Sequence, residues 1–305
     1  MKQGLDDLHL LIGFSEGSAS NIVARMISPA LGKALNQTVR LERIPGENGA
    51  LCMERVARAA PDGRTLAIAI QANIIGSLMH AKKRYDPLVD LAPVALFAKS
   101  PMVLAVSNTL GVASVAELIA LARSQPGRLT YAASATGGAP HLAGVLFNVM
   151  ANTSMRLRVY AETDALYADL AAGRISATFN NIMSALPLAH AGKLRILAVT
   201  ALERSPKAPE VPTIDESALP GYEIMNSIGL VAPAATPASV IARINAAVAQ
   251  AVSTPEVRQS LSASGMEPVV ASPEAFAVHL RAIMERWGKF INANRAAFAD
   301  GEQRA

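Results

Sequence analysis

The segment Tyr131–Gly144, YAASATGGAPHLAG, decides the fold because it predicts the end of a strand, a short loop and a helix that starts at Pro140. The loop offers a serine, a threonine and the pair Gly137-Gly138, with no acidic side chain among them. Proline suits the first helical position, where its missing N–H costs nothing. The positive end of the helix dipole then points into the loop, so the segment predicts a seat for an anion. The alternative interpretation is a tight strand-to-helix connection without a ligand.

The rest of the chain alternates strand and helix patterns, as an α/β fold requires. One sheet is predicted from strands at 8–14, 39–42, 65–70 and 102–106, and a second from strands at 129–133, 156–160, 176–179 and 195–200. Helices are predicted over 21–35 and 50–60. Others are predicted after a capping box of Ser114 and Glu117, and after the Thr-Pro or Ser-Pro pairs that begin at 236, 254 and 272.

Composition limits the class of protein. The 305 residues are 51% hydrophobic and 17% charged, which excludes a disordered chain and leaves room for two domains. No apolar run reaches the roughly 18–20 residues of a membrane span. The net charge of +4 does not indicate nucleic-acid binding, because Lys and Arg are scattered and aromatic residues make up only 4%. Cys52 is the only cysteine, so no intrachain disulfide is expected.

Common catalytic and metal-binding patterns are absent from the sequence. It contains no G-x-S-x-G, H-E-x-x-H, C-x-x-C, Walker or G-x-G-x-x-G pattern, and its five histidines have no recognisable metal spacing. We therefore expect no catalytic residue, metal or cofactor. An enzyme with Ser134 as nucleophile and His141 as base stays as the alternative, although hydroxyls near helix starts are common caps.

A second loop, Phe14–Arg25, reads FSEGSASNIVAR, and the two loops together resemble one family. The chain is similar to the extracytoplasmic solute-binding proteins of tripartite tricarboxylate transporters, the Bug-type receptors, whose first loop usually reads like FPPGGSTDIVAR. Further segments in the family's order and spacing are ALNQTVRLERIPGENGA (34–50), ARAAPDGRTLA (57–67), SVAELIALARSQPGRLTYAAS (114–134), HLAGVLF (141–147), AGKLRILAVTALERSP (191–206), VPTIDESALPGYE (211–223), GLVAPAATP (229–237) and SPEAFAVHLRAIMERWGK (272–289). The resemblance covers nearly the whole chain.

This resemblance implies an α/β, two-lobed periplasmic-binding-protein fold (type II-like). Two mostly parallel sheets flanked by helices would hold a ligand cleft between the lobes. Lobe 1 is expected to hold residues 1–106 and 228–305, and lobe 2 residues 107–227. Chain crossings near 106–109 and 226–230 are the connectivity of hinged proteins that close over a ligand. The implied function is non-enzymatic binding of a small carboxylate-type solute.

The resemblance also implies which loops hold the ligand. The ligand is expected to meet backbone N–H groups, hydroxyls and bridging waters at the carboxyl ends of strands. The candidate ligand-binding residues are Phe14, Ser15, Gly17, Ser18, Ser20, Asn21, Gln71, Ala135, Thr136, Gly137, Gly138, His141, Tyr160, Glu162 and Asn181.

Departures from the family pattern bear on the ligand. Glu16 stands where the family usually has proline, Asn21 and Asn180 where it has Asp, and Glu162 where its Tyr-Lys-Gly ends in glycine. If Glu162 lines the cleft, the ligand is expected to carry an amine or amide besides an acid group. The alternative is that both glutamates face solvent.

Partners and location follow from the same resemblance. The expected partners are a small organic acid or related solute, and either the membrane permease subunits of the transporter or a sensor protein. A soluble sensing module without a transport role is the alternative. The expected location is periplasmic, although MKQGLDD leads directly into the strand pattern LHLLIGF and shows no secretory signal, so such a signal would have been trimmed or never present.

Overall fold

The computed structural model describes residues 7–14, 16, 18–79, 84–134, 136–160 and 162–299. Strands β1–β10 span Leu8–Ile12, Val39–Arg43, Thr65–Ile70, Leu91–Val106, Thr130–Ala133, Arg156–Val159, Ala177–Asn181, Arg195–Val199, Met225–Pro233 and Glu267–Pro268. Helices α1–α12 span Ala19–Leu35, Ala50–Ala57, Gln71–Gly76, Val115–Ser124, Ala139–Ala151, Thr163–Ala171, Ile182–His190, Ile214–Ser217, Ala238–Ser253, Pro255–Ala263, Pro273–Ala293 and Arg295–Ala299. The chain forms two compact units.

The first unit holds the chain through Lys99 and Ser227–Phe290. Its sheet pairs β1 in parallel with β2 and β3, while β9 runs antiparallel to β3. The side chains of β1 alternate between two cores, as a half-buried pleated strand requires. Leu10 packs in the core that includes α1 and α9, and Leu11 packs in the core that includes α2 and α11. Cys52 is fully buried in the second of these cores, and burial raises the pKa of its thiol to about 12.

The second unit holds Ser100–Asn226 and the chain from Ile291 onward. Its sheet pairs β5 in parallel with β6 and β7, and the end of β4 pairs antiparallel with β7 and β8. Four aromatic side chains form part of its core, where Phe179 contacts Tyr131, Phe147 and Tyr222 with ring centroids 5.8–6.5 Å apart. The parallel strands carry the sites described below.

The length of β4 and the residues at which the chain passes between the units differ from the sequence prediction. The sequence predicted a strand only at 102–106, whereas β4 runs for 16 residues from Leu91. The first unit ends at Lys99 and resumes at Ser227, and the chain enters the second unit again at Ile291. The sequence assigned the whole C-terminal tail to lobe 1. In the structure, α12 packs against α5 of the second unit, where Phe298 makes an edge-to-face contact with the buried His141.

Several predicted helix starts differ in detail. Pro140 is the second residue of α5 rather than the first, because Gly138 is the N-cap. Pro237 is itself the N-cap of α9, and the Thr254 hydroxyl donates to the Ala251 carbonyl instead of capping α10. The Ser114 cap is confirmed, since its hydroxyl accepts from the Glu117 N–H at 3.2 Å. Among the helices of the described residues, none is both long and apolar enough to span a membrane.

Candidate ligand-binding site

The carboxyl ends of β1, β2 and β3 lie at one edge of the first unit, because these three strands are parallel. Each strand continues through a short connection into a helix, so the N-termini of α1, α2 and α3 are found at this edge. We call it the first-unit edge. Helix N-termini present unpaired backbone N–H groups and partial positive charge, which favour a bound anion.

Much of the predicted first loop lies at the N-cap and in the first turns of α1. Ser18 is the N-cap, and its hydroxyl accepts from the Asn21 N–H at 3.3 Å and lies 3.2 Å from the Ser20 hydroxyl. Ser20 and Asn21 are buried. The Asn21 side-chain amide has no hydrogen-bond partner among the described residues. Buried polar groups are nearly always hydrogen bonded, so this amide is a strong candidate for a ligand contact.

Gln71 presents a second such amide at the start of α3. Its side chain is 5% exposed and makes no hydrogen bond within the described part of the chain. Its neighbour Asn73 is structural instead, because the Asn73 Oδ1 accepts from the Ile70 N–H at 2.9 Å and its carbonyl accepts from the Tyr85 hydroxyl. The first-unit edge therefore carries two buried amides, Asn21 and Gln71, whose side chains no described residue hydrogen-bonds.

The sequence analysis missed the turn that precedes α2. Glu47, Asn48 and Gly49 all have positive φ angles. A Cβ at Gly49 would lie 3.0 Å from the Phe14 ring, so only glycine lets this turn approach the first loop so closely. Arg84 holds the turn by donating twice to the Glu47 carboxylate at 2.6 Å. The sequence signal for this turn is PGENG at residues 45–49.

Glu16 is exposed and paired with two cations. Its carboxylate accepts from Arg25 at 2.7 Å and from Arg43 at 2.8 Å. The Arg43 hydrogen bond and charge, together with the Arg25 charge, lower the pKa of Glu16. Its negative charge is therefore already matched by two guanidinium groups.

In the second unit, the carboxyl ends of β5, β6 and β7 lie at one edge because the strands are parallel. We call this the second-unit edge. The loop from Ser134 to Gly138, which we call the glycine loop, leads from β5 into α5. Gly137 has a φ of 80°, a left-handed conformation that suits glycine.

His141 supports the glycine loop from inside the protein. Its Nδ1 accepts from the Gly137 N–H at 2.9 Å, and its side chain is almost fully buried. Burial lowers the pKa of His141 to about 4, so the imidazole is neutral. Within the described ranges, no hydrogen bond joins His141 to Ser134, whose side chain is exposed. The nucleophile–base pair of the enzyme alternative is therefore not assembled.

The buried imidazole makes the stability of the second unit depend on pH. The folded-state pKa of about 4 lies below the ordinary value of 6.5, so the unfolded chain binds this proton more readily. The contribution of the neutral His141 to the free energy of unfolding is complete above pH 6.5. It falls as the pH drops from 6.5 towards 4, with a total loss of about 3 kcal/mol. Urea titrations at a series of pH values should show this loss in the wild type. It should be absent from His141→Asn, which keeps an acceptor for Gly137 but does not titrate, and equal pH slopes in both proteins would contradict this assignment.

The other predicted residues of the second unit have mixed roles. The Tyr160 hydroxyl donates to Asp169 at 2.6 Å, and burial, followed by this hydrogen bond, raises its pKa to about 12. Its hydroxyl is thus occupied by a protein partner. Glu162 is exposed at the start of α6. Asn181 caps α7 by accepting from the Met183 N–H at 2.8 Å, and its Nδ2 donates to the Ser100 hydroxyl at 3.4 Å.

Three predicted residues, Ser15, Gly17 and Ala135, lie outside the described residues. The others separate into two groups, one on each unit. The first-unit edge has Phe14, Ser18, Ser20, Asn21 and Gln71. The second-unit edge has Thr136, Gly137, Gly138, Tyr160, Glu162 and Asn181, and His141 lies beside it in the first turn of α5. No cluster of three His, Cys, Asp or Glu side chains suited to a metal ion occurs among the residues that the structure describes.

Known proteins resemble this chain over most of its length. Residues 23–295 match the family described as "Tripartite tricarboxylate transporter family receptor" (TctC). A curated relative, the "UPF0065 protein in tcbD-tcbE intergenic region" of Pseudomonas sp., is 33% identical and the match covers 93% of this chain and 87% of that protein.

Solved structures confirm the predicted α/β fold of periplasmic binding proteins. R. palustris Rpa4515, solved with adipate, is 33% identical with a TM-score of 0.83, over 94% of this chain and 96% of that one. MatC from Rhodopseudomonas palustris, solved with bound malate, is 28% identical with a TM-score of 0.82, over 93% of this chain and 98% of that one. The chain belongs to the solute-binding receptor family of tripartite tricarboxylate transporters.

Proposed function

We propose that this protein is a periplasmic receptor that binds a small organic carboxylate and delivers it to the permease subunits of a tripartite transporter. The observation that carries the proposal is the pair of buried amides, Asn21 and Gln71, which have no hydrogen-bond partner among the described residues and lie at an edge formed by helix N-termini. Amide N–H groups and backbone N–H groups are donors suited to carboxylate oxygens.

The solved relatives support a carboxylate as the ligand. Rpa4515 holds adipate and MatC holds malate, and both molecules carry two carboxylate groups. We propose that the first-unit edge and the glycine loop each offer donors suited to a carboxylate.

The surroundings of Glu16 and Glu162 favour a ligand that carries acid groups over one that carries an amine. The Glu16 carboxylate is paired with Arg25 and Arg43, and Glu162 is exposed at the start of α6. A ligand amine would have to displace one of the arginine pairs of Glu16. We therefore propose a plain dicarboxylate rather than an amino- or amide-bearing acid.

A receptor role without catalysis is proposed on two grounds. MatC was solved with bound malate, and the His141 Nδ1 of this chain accepts from the Gly137 N–H instead of serving Ser134 as a base. A soluble sensing module would use the same binding edges, and it differs only in the partner that recognises the ligand-bound protein.

A thermal-shift screen tests the ligand class. A dicarboxylate such as adipate or malate, at 100 times its dissociation constant, should stabilise the folded protein by about 2.7 kcal/mol. For units of this size, where 1 kcal/mol corresponds to about 2–4 °C, we expect the melting temperature to rise by about 5–10 °C. The screen should include the matched diamide and an amino acid of similar length as controls.

The outcomes separate the proposals. A shift with dicarboxylates alone supports the carboxylate proposal, and a shift only with amines or amides would contradict it. Recovery of unchanged ligand from the denatured complex supports a receptor, whereas a converted product would support the enzyme alternative.

A further inference from the structure

A half-open cavity of about 370 Å³ lies within the second unit, beside one face of α5. Its lining includes Tyr131 and His141 on one side and Asn294 and Ala297, next to α12, on another. A volume of about 300 Å³ or more is enough for a small organic molecule. The cavity has no role in the function proposed above.

Tyr131 presents an unsatisfied hydroxyl in this cavity. Its side chain is 2% exposed, and its hydroxyl has no hydrogen-bond partner among the residues that the structure describes. The ring lies against Gly144 of α5, where a Cβ would come within 2.1 Å of it. The hydroxyl of a buried tyrosine is normally hydrogen bonded, so we expect a ligand or an ordered water molecule as the partner of this hydroxyl.

His141 presents a second unsatisfied donor. The Gly137 N–H donates to its Nδ1, so the neutral ring carries its proton on Nε2. The side chain is 1% exposed, and no described residue accepts from Nε2. Two donors that are more than nine-tenths buried therefore line the same cavity.

The rest of the lining is aliphatic, neutral polar or cationic, and its polar members are Asn148, Asn152, Thr153, Ser154 and Asn294. Val145, Val149 and Leu157 supply aliphatic surface. Among the residues that the structure describes, the lining contains no Asp or Glu, and its one charged residue is Arg156. Arg156 makes no ion pair with any described residue. Donors, a cation and aliphatic walls together suit an acid group on a compact apolar body.

We propose that this cavity is a second binding site, for a small monocarboxylic acid with an apolar body. One carboxylate accepts hydrogen bonds from the Tyr131 hydroxyl and the His141 Nε2–H, and the body packs against Val145, Val149 and Leu157. The site is separate from the first-unit edge, and it does not depend on the function proposed above.

Benzoate titration of the full chain, followed by NMR chemical shifts or calorimetry, tests the proposal. Tyr131→Phe removes only the hydroxyl and should weaken benzoate binding about tenfold, because it deletes one hydrogen bond to a charged group. Val149→Phe should block binding by filling the cavity. The matched control is Tyr167→Phe, which makes the same change at a buried tyrosine of the second unit that does not line the cavity, and it should leave benzoate affinity unchanged.

The possible outcomes are distinct. Equal benzoate affinity in wild type and Tyr131→Phe, or no binding at about 10 mM, would overturn the proposal and leave a cavity filled by water only. Benzoate binding that is lost in Ser18→Asp but kept in Tyr131→Phe would place benzoate at the first-unit edge, and would likewise overturn it. Failure of the dicarboxylate screen leaves this test intact, because its readout is the difference between the Tyr131 and Tyr167 variants.

Discussion

Replacing Ser18 with aspartate should lower the affinity for a dicarboxylate more than a hundredfold while the protein stays folded. Ser18 is the N-cap of α1 at the first-unit edge, beside the unsatisfied Asn21 amide. Aspartate caps a helix as well as serine does, and its charge is favourable at a helix N-terminus. The same charge repels a bound carboxylate by about 3 kcal/mol at a separation near 5 Å. Calorimetric titration measures the loss.

Ser18→Asn is the matched control. Asparagine has nearly the shape of aspartate and caps helices equally well, but it carries no charge. We expect its dicarboxylate affinity to stay within a few-fold of wild type, with both variants unfolding at similar urea concentrations. Equal losses in the Asn and Asp variants would show that side-chain shape rather than charge is responsible, and comparable binding by the Asp variant would place the anion elsewhere.

Gly229→Ala should produce the largest loss of stability in the first unit. Gly229 lies in β9, opposite Ala69 of β3. A Cβ there would lie 2.4 Å from the ring of buried Phe276 and 2.7 Å from the Ala95 carbonyl oxygen. The ring can shift only within a packed core, and the carbonyl belongs to β4, so we expect a loss of about 3 kcal/mol.

The control is a second glycine-to-alanine substitution in the same unit. Gly288 lies inside α11, and a Cβ there would meet nothing within 4 Å. Alanine should stabilise this helix by up to about 1 kcal/mol. Urea unfolding of both variants gives the two free energies. A Gly229→Ala protein as stable as wild type would mean that β9 and α11 can separate without cost.

The parts of the fold that depend on local pattern were predictable from the sequence. The helix predicted after the Thr-Pro pair at 236 is α9, and it buries an apolar stripe of Ile241, Ile244, Val248 and Val252. The strand–loop–helix unit of β5 and α5 was also predicted, because small residues and proline mark its boundaries within a few positions.

Long-range pairing explains what the sequence analysis missed. Pro93 and Pro101 interrupt the apolar run of β4, yet Lys99 pairs with Glu267 and the strand continues through both prolines. For residues 226–230 the sequence predicted only a chain crossing between the lobes. In the structure, β9 runs through Gly229 and pairs with β3. In both strands, pairing with distant segments outweighs the local propensity.

The candidate site was predictable in its loops but not in its side-chain roles. Asn21 and Gln71 were named from the family resemblance, which places the ligand at loops that follow strand ends. The approach of Gly49 to Phe14 could not be predicted, because the two are brought together only by neighbouring parallel strands. Likewise, the Tyr160 hydroxyl is claimed by Asp169, which also pairs with Arg174, and no spacing rule indicates that partner.

The complete burial of Cys52 has a practical consequence. Thiol reagents attack the thiolate, and a fully buried group with a pKa near 12 offers almost none at neutral pH. The protein is thus already suited to maleimide labelling at a single chosen position, without removal of its native cysteine. A fluorophore on Glu162→Cys, at the exposed start of α6, would turn the receptor into an optical sensor for its own ligand.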